Sequence, residues 1–282
     1  MLLFILYKLG EFLSCYLPSQ LAYWIAEIIA DLCFFFPLGK HKIYKEAVLH
    51  NLKIIEYNNT LYGRRVFRHF AYYLREFLWL AKISKKKFFR ETIPVGVENL
   101  EAALSFGKGV LLLSAHFGNW EWGGIALACC GYRMCFFVRP HKNVYTDRLF
   151  NSLREKKGVR VIPISNLKQV IGSLRQNKVV GILCDEGNKG IEVNICGKKL
   201  TLASGPFKMA YKLQAVVAPA FMIRDKKTRK QKGIVEPPIL LDRSLSMEES
   251  VKKAANEFAR IMEDYLRFYP GHWLLLERKF FS

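Results

Sequence analysis

Hydrophobic and polar positions divide the chain into two regimes. Residues 1–38 are strongly apolar. Over 41–83 apolar positions recur at helical spacing, which predicts two helices, with Arg64, Arg65, Arg68 and Arg75 set among Phe67, Phe70, Tyr73 and Phe77. From residue 94 short apolar runs alternate with amphipathic stretches. Strands are expected at 109–115, 133–138, 159–164, 179–184, 191–195, 216–223 and 234–241. Helices are expected at 120–130, 145–157, 166–176, 204–213 and 247–269, with Pro206 in the first turn of its helix. This alternation predicts an α/β fold with a mostly parallel central sheet flanked by helices. The basic runs at 85–89 and 225–232 read as loops, the second a hairpin tip.

A membrane-spanning helix needs about 20 apolar residues. The run 21–36 is shorter, and Gln20, Glu27 and Asp31 share one helical face. Joined to 12–17 it could span with that stripe turned toward protein. Otherwise it lies in the membrane plane, or is an ordinary buried helix. The start lacks a basic segment and no small-residue cleavage site follows, so a cleaved signal is not expected. Lys40, Lys42 and Lys45 follow at once, which puts the main domain on the cytoplasmic side. The expected organisation is a membrane-associating helical anchor over 1–40 and a catalytic domain over 41–282.

The 282 residues suffice for one large core, and 51% hydrophobic content with 14% aromatics suits a protein working at a bilayer surface. Lys+Arg is 44 and Asp+Glu is 24, a net charge of +20. Residues 1–40 hold only Lys8 and Lys40 against Glu11, Glu27 and Asp31, so the excess lies wholly in the remainder. Such a field attracts anionic lipid headgroups, an acidic carrier protein or nucleic acid. The seven cysteines include no CxxC and read as buried reduced thiols. No metal site is expected.

The segment His-Phe-Gly-Asn-Trp-Glu, from His116 to Glu121, follows the buried 109–115 strand. In open α/β sheets ligands bind beyond the carboxyl ends of strands. Five residues on one helix would set the two side chains about 140° apart. Across a strand–turn–helix junction they can meet, with Gly118 allowing the turn and Asn119 capping the helix. A carboxylate behind an imidazole fixes its tautomer and stabilises the imidazolium, so the pair can deprotonate a hydroxyl. The plainer reading is a packed His and a helix-end Glu.

The segment 112–121, Leu-Leu-Ser-Ala-His-Phe-Gly-Asn-Trp-Glu, resembles the HxxxxD/E motif of the lipid A biosynthesis acyltransferases, whose superfamily includes the mycobacterial phosphatidylinositol mannoside acyltransferases. Further pieces resemble the family in order: Phe-Val-Arg-Pro at 137–140, Gly-Ile-Leu-Cys-Asp-Glu at 181–186, Gly-Ile-Glu-Val-Asn-Ile-Cys-Gly at 190–197, Thr-Leu-Ala-Ser-Gly-Pro-Phe at 201–207, and Pro270-Gly-His-Trp273 with Arg278. The resemblance covers essentially the whole chain.

It implies an O-acyltransferase of the cell inner membrane, its catalytic domain facing the cytoplasm, acting in lipopolysaccharide biosynthesis. The enzyme would move a fatty acyl chain from an acyl thioester to a hydroxyl of a membrane glycolipid. A lipid A precursor is the first acceptor considered and a phosphatidylinositol mannoside the second. No cofactor is implied; the donor is acidic acyl-carrier protein, or acyl-CoA. A monomer on an anionic membrane surface, without nucleic acid, is expected. His116 would be the general base and Glu121 its orienting partner. Arg139 would face phosphate or the oxyanion, with a structural ion pair as the plainer role. Asp185 would line the same cleft, or serve as a cap or partner for Arg139. Glu192 matches an acidic position of the mannoside branch, or is a surface residue. Asn119 borders the site, and Gly205, in Ser204-Gly-Pro206, would offer backbone donors at a helix start. Ile195-Cys196 stands where many relatives have an aromatic pair, a position read as shaping the acyl pocket. His41, His50, His69 and His141 read as structural or surface residues. Two other classes compete: a non-catalytic basic protein binding membrane or nucleic acid, and a serine hydrolase, for which no GxSxG is present.

Overall fold

In the computed structural model, which describes residues 2–57, 59–186 and 190–277, the core is a mostly parallel sheet. Its strands are β1 (Thr92–Val95), β2 (Val110–Ser114), β3 (Met134–Val138), β4 (Arg160–Pro163), β5 (Val179–Leu183), β8 (Val216–Arg224) and β9 (Gln231–Val235), arranged in the order β1-β9-β8-β2-β5-β3-β4. Every pairing is parallel except β8 with β9. β6 (Ile191–Ile195) and β7 (Lys198–Leu202) form a separate antiparallel hairpin. Both edge strands carry a proline, Pro94 and Pro163, which cannot extend a ladder and so blunts the edge.

Helices cover both faces, so the central strands are apolar throughout: Val110, Leu111 and Leu113 of β2 are fully buried. The sheet helices are α5 (Lys85–Arg90), α6 (Val97–Ser105), α7 (Trp120–Cys129), α8 (Val144–Glu155), α9 (Leu167–Arg175), α10 (Ser204–Leu213) and α11 (Met247–Phe268). The chain leaving β2 crosses to β3 on one side, and the chain leaving β5 returns to β8 on the other. A crevice therefore opens beyond the carboxyl ends of β2 and β5, the switch point of the sheet.

Several boundaries differ from the sequence reading. The strand expected at 234–241 lies at Gln231–Val235, because Gln231 pairs with Arg224 across the hairpin and Pro237-Pro238 cannot continue the ladder. The basic run at 85–89 forms α5, whose start is capped by Ser84. β7 is obscured in the sequence by Lys198 and Lys199. The Cys196-Gly197 dipeptide is the tight turn between β6 and β7, both residues at positive φ, and Cys196 donates its amide to Glu263 of α11. Ile195 and Cys196 therefore pack on α11 and lie outside the large groove described below. Among the cysteines, Cys135 and Cys184 are buried and Cys130 is exposed.

The N-terminal region is α1 (Leu2–Tyr16) and α2 (Ser19–Phe35), separated by Leu17-Pro18, followed by α3 (Lys40–Ile54) and α4 (Thr60–Trp79). The break prevents 12–17 from joining 21–36 in one helix. Among the described residues no single helix is long and apolar enough to cross a membrane; α2 and α3 pass together but are bent by 86°. α2 lies along α4 through Ala22, Ala26, Ala30 and Phe34, a four-residue period. Its polar stripe faces α4: Asp31 accepts from Arg64 and Arg68, and Glu27 pairs with Arg68 and Tyr72. The outward face exposes Leu21, Trp24, Ile28, Leu32 and Phe35, continued on α1 by Leu6, Leu9 and Phe12.

Candidate active site

β2 and β5 pair in parallel with Ser114 opposite Leu183. Continued two residues, that register brings His116 and Asp185 side by side. The Asp185 carboxylate accepts the His116 backbone N–H at 3.0 Å and faces Nδ1 of its ring at 2.8 Å. It also accepts the Trp273 indole N–H at 3.1 Å. Asp185 has no exposed surface. Burial pushes its carboxyl up, but the His116 ring and amide and the Trp273 indole outweigh this and hold it below its ordinary range.

The turn carrying His116 is tied down on its other sides. Gly118 has φ +60°, and a Cβ there would lie 1.9 Å from the Met222 carbonyl oxygen, so only glycine fits. Gly118 donates to the His272 carbonyl at 2.8 Å, and Leu274 donates to the His116 carbonyl at 2.6 Å. Asn119 caps α7 by accepting from Trp122 at 3.0 Å. The Trp120 ring meets the His116 ring edge-on at 5.0 Å.

Nδ1–H directed at Asp185 leaves Nε2 as the ring nitrogen turned toward Glu186. Nε2 lies 3.2 Å from Oε1 of Glu186, whose side chain is 36% exposed. The ring carries a proton on Nε2 when it bonds Glu186, or a lone pair when it accepts one from a hydroxyl.

The partner expected for His116 was Glu121, and here the geometry differs. The Glu121 carboxylate is buried on α7 and is gripped by Arg154 of α8, whose Nε donates at 3.0 Å. Arg154 in turn donates to Asn151 at 2.9 Å. A carboxylate five residues along turns inward with the helix and meets a guanidinium, while the neighbouring strand supplies the acid behind Nδ1.

His116 and Glu121 both line a groove of about 970 Å³, within the usual size of ligand sites. Its walls are apolar, including Leu112, Phe136, Ile164, Ile171, Ile182 and Leu213. Its rim is cationic: Arg139, Lys142, Lys208 and Lys212 line it and are exposed. Gly205, in the first turn of α10, lines it too, and Ala203 at the helix start donates to the Cys184 carbonyl at 2.8 Å.

The other expected residues separate. Asn119 is buried and its amide points away from the groove to Glu76 at 2.8 Å. Glu192 is an exposed residue of β6 paired with Lys199 at 2.7 Å and does not line the groove. Arg278 lies outside the described residues. His69 packs on His272 with ring centroids 4.0 Å apart. Sequence reasoning missed Arg154, Glu186, Trp273 as Asp185's second donor, and the α10 lysines. Of these, Glu186 had a signal in its place beside Asp185 at a strand end, and Trp273 one in the Pro270-Gly-His-Trp273 motif, which marked the residue but not its bond to Asp185.

The model of the family described as bacterial lipid A biosynthesis acyltransferase matches residues 4–282. The chain is similar to a phosphatidylinositol mannoside acyltransferase of Mycobacterium tuberculosis, 29% identical over 159 residues, covering 52% of this chain and 49% of the relative. It is similar to a lipid A biosynthesis acyltransferase of Haemophilus influenzae, 27% identical over 198 residues, covering 68% of this chain and 60% of the relative. The matched part thus spans about half the length of these curated relatives. Among solved structures, a 1-acyl-sn-glycerophosphate acyltransferase of Thermotoga maritima aligns with a TM-score of 0.41 at 16% identity, over 86% of this chain and 98% of that one.

Proposed function

Since the chain belongs to the bacterial lipid A biosynthesis acyltransferase family, we propose that it transfers a fatty acyl group from a thioester to a hydroxyl of a membrane glycolipid, with His116 as general base. The observation that carries this reading is the His116–Asp185 pair opening, through Nε2, onto an apolar groove with a cationic rim. An acyl chain fits the apolar walls, and anionic headgroups or carriers fit the rim.

The acceptor hydroxyl takes the position at Nε2 now held by Glu186. As its oxygen attacks the thioester carbonyl, its proton moves to Nε2 and a C–O bond forms. Asp185 stays ionised and stabilises the imidazolium. The tetrahedral intermediate collapses, the C–S bond breaks, and the thiolate takes the proton back from Nε2. Arg139 and the first-turn amides of α10 are the candidate donors to the oxyanion. The buried Glu121–Arg154 pair shapes the groove beside the base.

A lipid A precursor is the favoured acceptor; the similarity to mannoside acyltransferases supports a phosphatidylinositol mannoside as the second. Acidic acyl-carrier protein suits the rim as donor, and acyl-CoA offers the same negative charge. The exposed apolar face of α1 and α2 supports attachment to the cytoplasmic face of the inner membrane, where anionic lipids meet the basic body.

The test is acyl transfer by purified protein from acyl-carrier protein and from acyl-CoA of varied chain length to a lipid A precursor and to a phosphatidylinositol mannoside. The expected result is an ester product on one acceptor that His116→Ala lowers by about 10²–10⁴-fold. Equal rates in wild type and His116→Ala would overturn the reading.

A further inference from the structure

Glu76 lies on α4, only 2% exposed, and does not line the large groove. Four elements converge on its carboxylate. Oε1 accepts the Tyr23 hydroxyl of α2 at 2.6 Å and the Arg224 guanidinium of β8. Oε2 accepts Gln231 of β9 at 2.8 Å and the Asn119 side-chain amide at 2.8 Å. A buried carboxylate so fully donated to is held rigidly, because losing any donor leaves a buried acceptor unmet.

Asn119 is what gives the cluster functional reach. Its Oδ1 caps α7, and its Nδ2 reaches Glu76. It stands three residues after His116, in the turn whose Gly118 is pinned by His272. The Asp185 side of the His116 turn is thus held by β5, and the opposite side by Glu76. Through Tyr23 the same carboxylate is bonded to α2, whose outward face is the exposed apolar surface.

We infer that Glu76 is a positioning residue for the His116 turn, joining that turn through Asn119 to α2 through Tyr23, so that the seating of α2 on the body sets the rate of acyl transfer. The inference rests on the reading of His116 as base. Glu76 touches no substrate. It acts by keeping Asn119, and hence the His116 ring, in register with Asp185. A misplacement of about 1 Å in a catalytic group can cost about 100-fold in rate.

The test uses the full chain in lipid vesicles, with palmitoyl-CoA as donor probe and a lipid A precursor or a phosphatidylinositol mannoside as acceptor. Tyr23→Phe removes one donor to Glu76 at a distance from the turn. Asn119→Ser keeps the helix cap and removes the amide donor. Glu76→Gln reverses the polarity of one acceptor, and Glu76→Gln with Asn119→Asp restores a donor–acceptor pair between the two positions. Two readouts are taken: kcat and KM, and amide hydrogen exchange over residues 117–122.

The expected result for Asn119→Ser and Glu76→Gln is a fall in kcat of about 10- to 100-fold with KM changed less than about threefold, and faster exchange in the turn. Tyr23→Phe moves both readouts in the same direction by less, and the Glu76→Gln/Asn119→Asp double variant recovers most of the lost kcat. If His116→Ala abolishes transfer while Tyr23→Phe and Asn119→Ser leave kcat unchanged, the inference is overturned and the base assignment stands. If exchange quickens without any loss of kcat, Glu76 is structural only, and the inference is again overturned. If His116→Ala itself transfers normally, the assignment of the base has failed and takes the inference with it.

Discussion

Asp185 holds His116 twice, by the ring at 2.8 Å and by the backbone amide at 3.0 Å. The two residues are 69 positions apart in the chain and become neighbours only through the parallel register of β2 and β5. A single buried carboxylate thus fixes both the tautomer of the imidazole and the position of the strand end that carries it. Trp273, from the short helical turn Pro270–His272 and the segment after it, supplies the third hydrogen bond.

Glu121 and Arg154 are both buried, and the Arg154 guanidinium is the cation that pairs with the Glu121 carboxylate. Glu121→Ala strands the Arg154 guanidinium and is expected to destabilise the fold by about 3–5 kcal/mol. Glu121→Ala combined with Arg154→Met removes both charges and is expected to recover most of that loss. Denaturant unfolding of the two variants measures the difference. A double variant no more stable than the single one would contradict the ion-pair role.

Gly118 and Gly205 are both small residues by the site, yet their backbones make opposite demands. At Gly118 a Cβ meets the Met222 carbonyl at 1.9 Å with φ at +60°; at Gly205 it meets nothing within 4 Å. Gly118→Ala should cost more than about 2 kcal/mol, and Gly205→Ala should stay within about 0.5 kcal/mol. Paired thermal melts decide it, and equal losses in the two would refute the turn geometry.

The His69 and His272 rings meet at 4.0 Å, and His272 accepts the Arg224 amide at Nε2. Desolvation, with Arg224 and Arg65, pushes His69 down to about 3, and desolvation, with His69 and Arg224, holds His272 well below the ordinary imidazole value. Both are neutral in the fold, and the unfolded chain binds more protons once pH drops below about 6.5. Stability is therefore full above that value and declines as pH falls from about 6.5 toward about 3. Melting temperatures between pH 7.5 and pH 4.5 should fall steadily, and His69→Phe should flatten the slope. A flat wild-type profile would count against a neutral buried pair.

Trp24, Leu32 and Phe35 present apolar side chains more than half exposed on one face of α2. Replacing all three with Ser is expected to lower sedimentation with anionic phospholipid vesicles about tenfold or more, without changing the melting temperature appreciably. Unchanged sedimentation would remove this face as the attachment surface.

The sheet strands at the core were legible because parallel strands covered on both faces read as uninterrupted apolar runs, as at Val110–Leu113 and Val179–Leu183. The β7 strand was not, since Lys198 and Lys199 stand exposed at its start and break the apolar signal of its buried Leu200 and Leu202. His116 could be found from its place after β2. Its partner could not be identified by spacing, because Glu121 and Asp185 are both acids near a strand end and only the pairing of β2 with β5 distinguishes them. Arg154 is one of two arginines on amphipathic α8, with Arg148, and nothing in its local sequence marks it as the residue that claims Glu121. The polar stripe of α2 was visible in Gln20, Glu27 and Asp31, and its two half-buried acids met arginines of α4.

The most direct measurement of the central claim is the acyl-transfer rate of Asp185→Asn, taken under saturating donor and acceptor. Asn fills the same space but carries no charge to fix the Nδ1–H tautomer or stabilise the imidazolium. The expected result is a fall in kcat of about 10²–10⁴-fold with KM nearly constant. A wild-type kcat in Asp185→Asn would contradict it and return the orienting role to another carboxylate.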